Sequence, residues 1–237
     1  MTAPLEVELK LELPAAALPQ FGKLPLIRAL EASAKRSSQV SVYFDSDRQK
    51  LRRHGLTLRV RRIGDRYIQT IKATQNSNIL IRNEWESEIA DGRPDLVQAR
   101  GTALDGLLTG KFQRKLKPQF ETRVRRIVFP LERDGTVIEL ALDQGTIDTG
   151  AASMRLCEIE LELASGDKAH LFEVARLLAR AAGSARFHEQ VGARLPPSGR
   201  RARRADEVRC GSAHSRHVDA RGLSRNRPRL FAANRQQ

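Results

Sequence analysis

Leu5-Glu6-Val7-Glu8-Leu9-Lys10-Leu11-Glu12-Leu13 decides the fold. Apolar and charged residues alternate strictly, the period of a β-strand with two unlike faces. Val7, Leu9, Leu11 and Leu13 make one face; Glu6, Glu8, Lys10 and Glu12 make the other. A solvated surface strand reads the same way. A second stretch, Cys157-Glu158-Ile159-Glu160-Leu161-Glu162-Leu163, again sets three carboxylates on one face. Like charges two residues apart repel unless something positive sits among them. A divalent cation would relieve that, and hard cations take carboxylate oxygens.

Outward from the first strand, the same alternation recurs. Strands are expected at Gln39–Asp45, Leu56–Arg61, Tyr67–Lys72, Leu80–Ile89, Phe120–Leu131, Thr136–Asp143 and Leu156–Ala164. His54-Gly55, Gly64-Asp65 and Gln144-Gly145 read as turns. Pro14–Ala32 reads as a helical connection broken at Pro19 and Pro25. Helices are expected over Arg93–Gly110, on Leu96, Leu104, Leu107 and Leu108, and over Lys168–Ala182 after a Ser165-Gly166-Asp167 cap. Carboxylates dominate the charged face of the first, fifth, seventh and eighth strands, and Arg or Lys that of the third and fourth. The fold class is therefore α+β, mainly antiparallel β, and eight such strands can close into a barrel. Alternation alone does not say which face points inward.

The chain has 237 residues and a formal charge of +14. Residues 191–237 hold twelve Arg, no Lys and three acids, so about +9 of that charge lies there. No apolar run approaches the roughly 20 residues that span a bilayer, and the first residues lack the pattern of a secretory signal. Cys157 and Cys210 form neither a disulfide framework nor a metal-ligand spacing. These features point to a cytoplasmic protein without a membrane partner.

Glu6-Val7-Glu8-Leu9-Lys10 resembles the ExExK signature of the CYTH domain, the triphosphate tunnel metalloenzyme family. Leu58-Arg59-Val60-Arg61, Thr70-Ile71-Lys72, Arg82-Asn83-Glu84-Trp85-Glu86, Leu142-Asp143-Gln144-Gly145 and Glu158-Ile159-Glu160-Leu161-Glu162 follow in the family's order. ExExK alone is weak; six motifs in register are specific. The resemblance covers residues 5 to about 190 and is nearest to the bacterial inorganic triphosphatase branch. It implies an eight-stranded closed tunnel with the charged faces inward and peripheral helices. It also implies Mg²⁺ or Mn²⁺ as cofactor and a small-molecule triphosphate as substrate.

The resemblance assigns metal binding to Glu6, Glu8, Asp143, Glu158 and Glu160, with Glu84 and Glu86 as further acids of the catalytic set. It assigns the triphosphate oxygens to Lys10, Arg59, Arg61 and Lys72, and to a sixth-strand arginine, Arg126 first and Arg123 second. The chemistry agrees. A tripolyphosphate carries about four to five negative charges, which a buried site must match. Arg binds phosphate as a fork and Lys as a point charge. Tyr43 and Asp45 either line the tunnel mouth or pack and cap, and Trp85 faces away from the acids toward a core.

The chain departs from the family after the last helix. There the family carries a Ser-Lys-Ser-Glu-Arg-Gly-Tyr-like segment, and this chain reads His188-Glu189-Gln190-Val191-Gly192-Ala193-Arg194. One back-translation of residues 188–197, shifted by one nucleotide, reads Thr-Ser-Lys-Ser-Glu-Arg-Gly-Tyr-Arg. The expectation is a tunnel domain over 1–190 and, after a reading-frame slip near Arg186–His188, an Arg-rich disordered tail over 191–237. Resequencing codons 180–200 tests the slip.

The function expected is metal-dependent hydrolysis of inorganic triphosphate. Thiamine triphosphatase or adenylate cyclase chemistry in the same tunnel stays open, as does a non-catalytic polyphosphate-binding module. Nucleic acid is the weakest reading, because Phe231 is the tail's one aromatic for base stacking.

Overall fold

The computed structural model describes residues 5–75, 78–181 and 186–187. The tail expected over 191–237 and the departure at 188–194 lie outside the described residues. Nine strands form: β1 (Leu5–Glu12), β2 (Lys35–Asp45), β3 (Leu56–Ile63), β4 (Arg66–Gln75), β5 (Asn78–Ile89), β6 (Lys117–Arg133), β7 (Thr136–Asp148), β8 (Ser153–Ser165) and the two-residue β9 (Arg186–Phe187). Their order is β5-β4-β3-β2-β6-β7-β8-β1-β9, all pairings are antiparallel, and β5 also pairs with β1. That last pairing closes an eight-stranded barrel. It runs only over Leu5–Val7, opposite Asn83–Ile81; farther along, β1 takes β9 at Leu11 and Glu12.

The barrel inverts the usual arrangement of a small β-protein. The apolar strand faces point outward and are covered by helices and loops. Leu9, Leu11, Phe129, Leu140, Ile159 and Leu161 pack beneath α1 (Leu18–Phe21), α2 (Pro25–Leu30) and α5 (Lys168–Ala181). A second core sets Leu56, Leu58 and Ile71 against Leu51 of α3 (Lys50–Arg53) and Phe112 of α4 (Gly110–Gln113). Trp85 packs on this second core, as its strand parity implied. The charged faces are left to the lumen.

Two expectations are corrected. The helix over Arg93–Gly110 does not form; a chain of turns with one short 3₁₀ turn at Asp105–Leu107 takes its place. Gly101 sits at φ +76°, where a helix cannot pass. Asp95 Oδ1 accepts from the Val97 and Gln98 amides, a side-chain turn that competes with helix. Leu104 is still fully covered, and Leu107 and Leu108, partly buried, pack on the second core. Nor do Gln144 and Gly145 turn the chain; both lie inside β7, which runs on to Asp148. At Gly145 a Cβ would stand 1.9 Å from the Arg123 carbonyl oxygen, so β6 and β7 cross there at a distance only glycine permits. The α5 cap holds: Asp167 Oδ1 accepts from the Ala169 amide.

Candidate active site

Alternate side chains of all eight barrel strands line one cavity of about 790 Å³ along the barrel axis. Ten carboxylates and seven basic side chains face it. Every residue expected at the site lines it except Arg123. On β6 the inward parity is Thr122, Val124 and Arg126. Arg123 points the other way, exposed and paired with Glu121 at 2.7 Å.

Lys10, Arg126 and three acids form the centre. Lys10 Nζ donates to Glu160 and lies 3.7 Å from Glu158 and 3.6 Å from Glu8. The Arg126 fork donates to both oxygens of Asp143, with Nε at 2.8 Å from Oδ1, and also to Glu160. Burial works to raise the Glu160 carboxyl, but Lys10 and Arg126 hold it well below the usual carboxylate range. Burial pushes Glu158 up to about 7, against Lys10 and with help from Glu160 and Asp143. Burial likewise raises Asp143. Burial would lower Lys10, yet Glu160, Glu158 and Glu8 keep it well above an ordinary lysine.

Asp143, Glu158 and Glu160 offer oxygens within 4.8 Å of one another, on two paired strands. Three hard oxygen donors so close suit a small divalent cation such as Mg²⁺ or Mn²⁺. Glu6 and Glu8 meet a second base. Lys72 donates to both Glu6 oxygens at 2.7 and 2.9 Å and lies 3.4 Å from Glu8 and 3.0 Å from Glu84. Arg82 donates to Glu8 at 3.0 Å. Beyond them, burial and the nearby Glu6 raise Glu162 to about 7.

The opposite wall is basic. Arg59 and Arg61 enter from β3, and each keeps a buried Nε without a hydrogen-bond partner among the described residues. Burial, together with repulsion from Arg59 and Arg126, pulls Arg61 down to about 10. Arg59 reaches Thr70 Oγ1 at 3.0 Å, and Thr70 donates to Glu86 at 2.9 Å. Glu86 is about half exposed at the rim. Tyr43 lines the cavity and stacks on Phe120 at 4.3 Å. Asp45 does not line it; its carboxylate accepts from the Ser46, Leu51 and Arg52 amides and caps α3.

Gln39, Ser41 and Thr122 escaped the motif reading, and Thr70, Arg82 and Glu139, though on the charged strand faces, received no role from it. All line the cavity, and each lies an even number of residues from an assigned or lining residue on its own strand. That parity was the available signal.

The profile of the CYTH domain family matches residues 4–191. A solved structure of a Hippeastrum adenylyl cyclase candidate, described as having a dominant triphosphatase activity, is similar over 77% of this chain and 90% of its own. Its sequence is 18% identical and its TM-score is 0.54. A solved adenylate cyclase candidate from Bacillus halodurans is similar over 84% of this chain and 96% of its own, at 14% identity and a TM-score of 0.54. At these identities the likeness is one of fold.

Proposed function

The chain belongs to the CYTH domain family, and on that footing we propose that it hydrolyses inorganic triphosphate to diphosphate and phosphate inside the barrel. The observation that carries this reading is the pair of buried Arg59 and Arg61 Nε–H groups that no described residue satisfies. A buried guanidinium donor without a partner is costly, and phosphoryl oxygens are the natural acceptors. Across the lumen, a carboxylate trio matches the donor chemistry of a divalent cation.

In this reading Arg59, Arg61, Lys72 and Arg126 bind the phosphate oxygens and hold the chain along the barrel axis. Asp143, Glu158 and Glu160 would hold Mg²⁺ or Mn²⁺, which supplies charge neutralisation on the phosphoryl oxygens when bound. Lys10 keeps Glu160 ionised and turned into the lumen. Glu6, Glu8 and Glu84 fix the Lys72 ammonium, so that it meets the substrate as a pre-oriented point charge. The reaction needs little else from the protein. Water attacks the terminal phosphorus, one phosphoanhydride bond breaks, a proton is released, and the negative charge gathering on the leaving diphosphate falls against the basic wall. Lumen acids outnumber bases, so a polyanion enters with cations rather than alone.

The test is phosphate release from tripolyphosphate by the purified chain, with Mg²⁺ or Mn²⁺ and with chelator. We expect metal-dependent release, reduced at least about a hundredfold in Glu160→Gln. Release that is indifferent to chelator would sink the proposal. ATP or thiamine triphosphate turned over with higher kcat/KM would move the activity to an organic triphosphate.

A further inference from the structure

Lys72 is held in the lumen by the Glu6 carboxylate, and Arg126 by that of Asp143. Arg59 is held differently. Its carboxylate neighbours stand off, with Nη2 4.0 Å from Glu84 and 3.7 Å from Glu86. Nη2 donates instead to Thr70 Oγ1 at 3.0 Å, and Thr70 donates in turn to Glu86 at 2.9 Å. Tyr43, Arg59, Thr70 and Glu86 stand in register across β2, β3, β4 and β5, so these contacts follow one row of the barrel. Thr70 is 1% exposed and borders the cavity. The far side of the same guanidinium, its buried Nε–H, has no hydrogen-bond partner among the described residues. Arg61, two residues along β3, has Ser41 and Ile68 at the corresponding register positions. An isoleucine offers nothing that could anchor a fork.

From this row we infer that Thr70 is a positioning residue for phosphate binding: it anchors the Arg59 fork at Nη2 so that Nε–H is presented to the lumen, and Glu86 acts through Thr70. The inference rests on the phosphate-binding reading of Arg59. Counting protons and lone pairs assigns the role. A threonine hydroxyl has one proton and two lone pairs. The proton goes to Glu86, and one lone pair accepts from Arg59. What remains for the lumen is an acceptor, which a phosphate oxygen avoids, so Thr70 does not bind the substrate itself. By taking the proton, Glu86 fixes the hydroxyl rotor and turns a lone pair toward Arg59. The β-branch adds stiffness, because it restricts χ1 on a strand. A loose guanidinium gives up side-chain freedom when it closes on a phosphate, and one anchored beforehand gives up less.

The test compares Thr70→Val, which keeps the shape and removes the hydroxyl, with Thr70→Ser, which keeps the hydroxyl. Two readouts are taken on the full chain. The first needs no substrate: the proton–nitrogen NMR signals of the arginine guanidinium groups. Thr70→Val should broaden or shift the Arg59 Nε–H signal and leave that of Arg61 in place, and Thr70→Ser should restore it. The second is tripolyphosphate hydrolysis with Mg²⁺. We expect Thr70→Val to raise KM at least about tenfold with kcat within about threefold, and Thr70→Ser to bring KM back to within about threefold of the parent. In an Arg59→Gln background, Thr70→Val should add less than about twofold, because the hydroxyl then has no fork to place. Thr70→Ala removes the same hydroxyl and should follow Thr70→Val in every readout. An unmoved Arg59 signal in an active parent would overturn the inference alone. So would a loss of kcat at constant KM, or additive losses in the double variant. A parent chain that neither binds nor hydrolyses tripolyphosphate would overturn the hydrolase reading and the inference together.

Discussion

Two arginines of opposite situation, Arg126 and Arg61, show how the lumen divides its charge. Arg126 is locked between Asp143 and Glu160, and its removal strands two buried carboxylates. Arg126→Gln should lower stability by about 3 kcal/mol or more, measured by urea unfolding without metal. Arg61 has no such partners and is repelled by Arg59 and Arg126. Arg61→Gln should leave the melting temperature unchanged or raise it, while tripolyphosphate KM rises at least about tenfold. A fall in stability for both variants would mean that Arg61 is held by the fold rather than kept for a ligand. At this scale the sequence was readable where parity and motif agreed: Lys10, Arg59, Arg61, Lys72, Arg126 and the acids all line the cavity. Arg123 shows the limit. Three arginines in Arg123–Arg126 offered themselves, and only the pairing of β6 with β2 and β7 decides which faces inward.

At the scale of elements, the strands were legible because their alternation is strict; the first ends one residue early, at Glu12, and each of the others was extended by the structure rather than displaced. The missed helix over 93–110 was illegible for a physical reason. Its leucine spacing suits a helix, but Gly101 and the Asp95 side-chain turn settle the backbone otherwise, and the leucines reach the second core from a loop. Gly145 misled in the opposite sense, since Gln-Gly is turn chemistry in most settings. Here the glycine serves close strand crossing, and Gly145→Ala would drive a methyl into the Arg123 carbonyl. That variant should lose about 3 kcal/mol or more, or fail to fold, by thermal or urea unfolding. Stability near that of the parent would mean that the β6–β7 crossing is looser than described.

The barrel as a whole buries clustered carboxylates in its lumen, and its stability should therefore follow pH in an unusual direction. Glu158 and Glu162 titrate near 7 in the fold, above an ordinary carboxyl. A group raised in this way stabilises fully below its unfolded value and loses that contribution as pH rises through 7. Glu160 runs the other way, but its loss belongs to acid below the ordinary carboxylate range. With chelator, the melting temperature should thus fall between about pH 5 and 8, by roughly 5 °C or more. Mg²⁺ should restore it at pH 8, where Glu158 is free of its proton, and do little at pH 5. A flat or rising profile without metal would contradict the buried-acid account. The split seam of β1 has a consequence for how the chain comes together. Of the barrel strands, β1 is made before the others; it is bound by β8, which lies some 150 positions later, and closes on β5 over Leu5–Val7. During synthesis β1 therefore waits as an unpaired edge until most of the chain has emerged, a slow, long-range assembly. Its row of Glu6, Glu8, Lys10 and Glu12 keeps that waiting edge from pairing with a neighbouring chain, so the charges that line the finished tunnel first serve as its guard against aggregation.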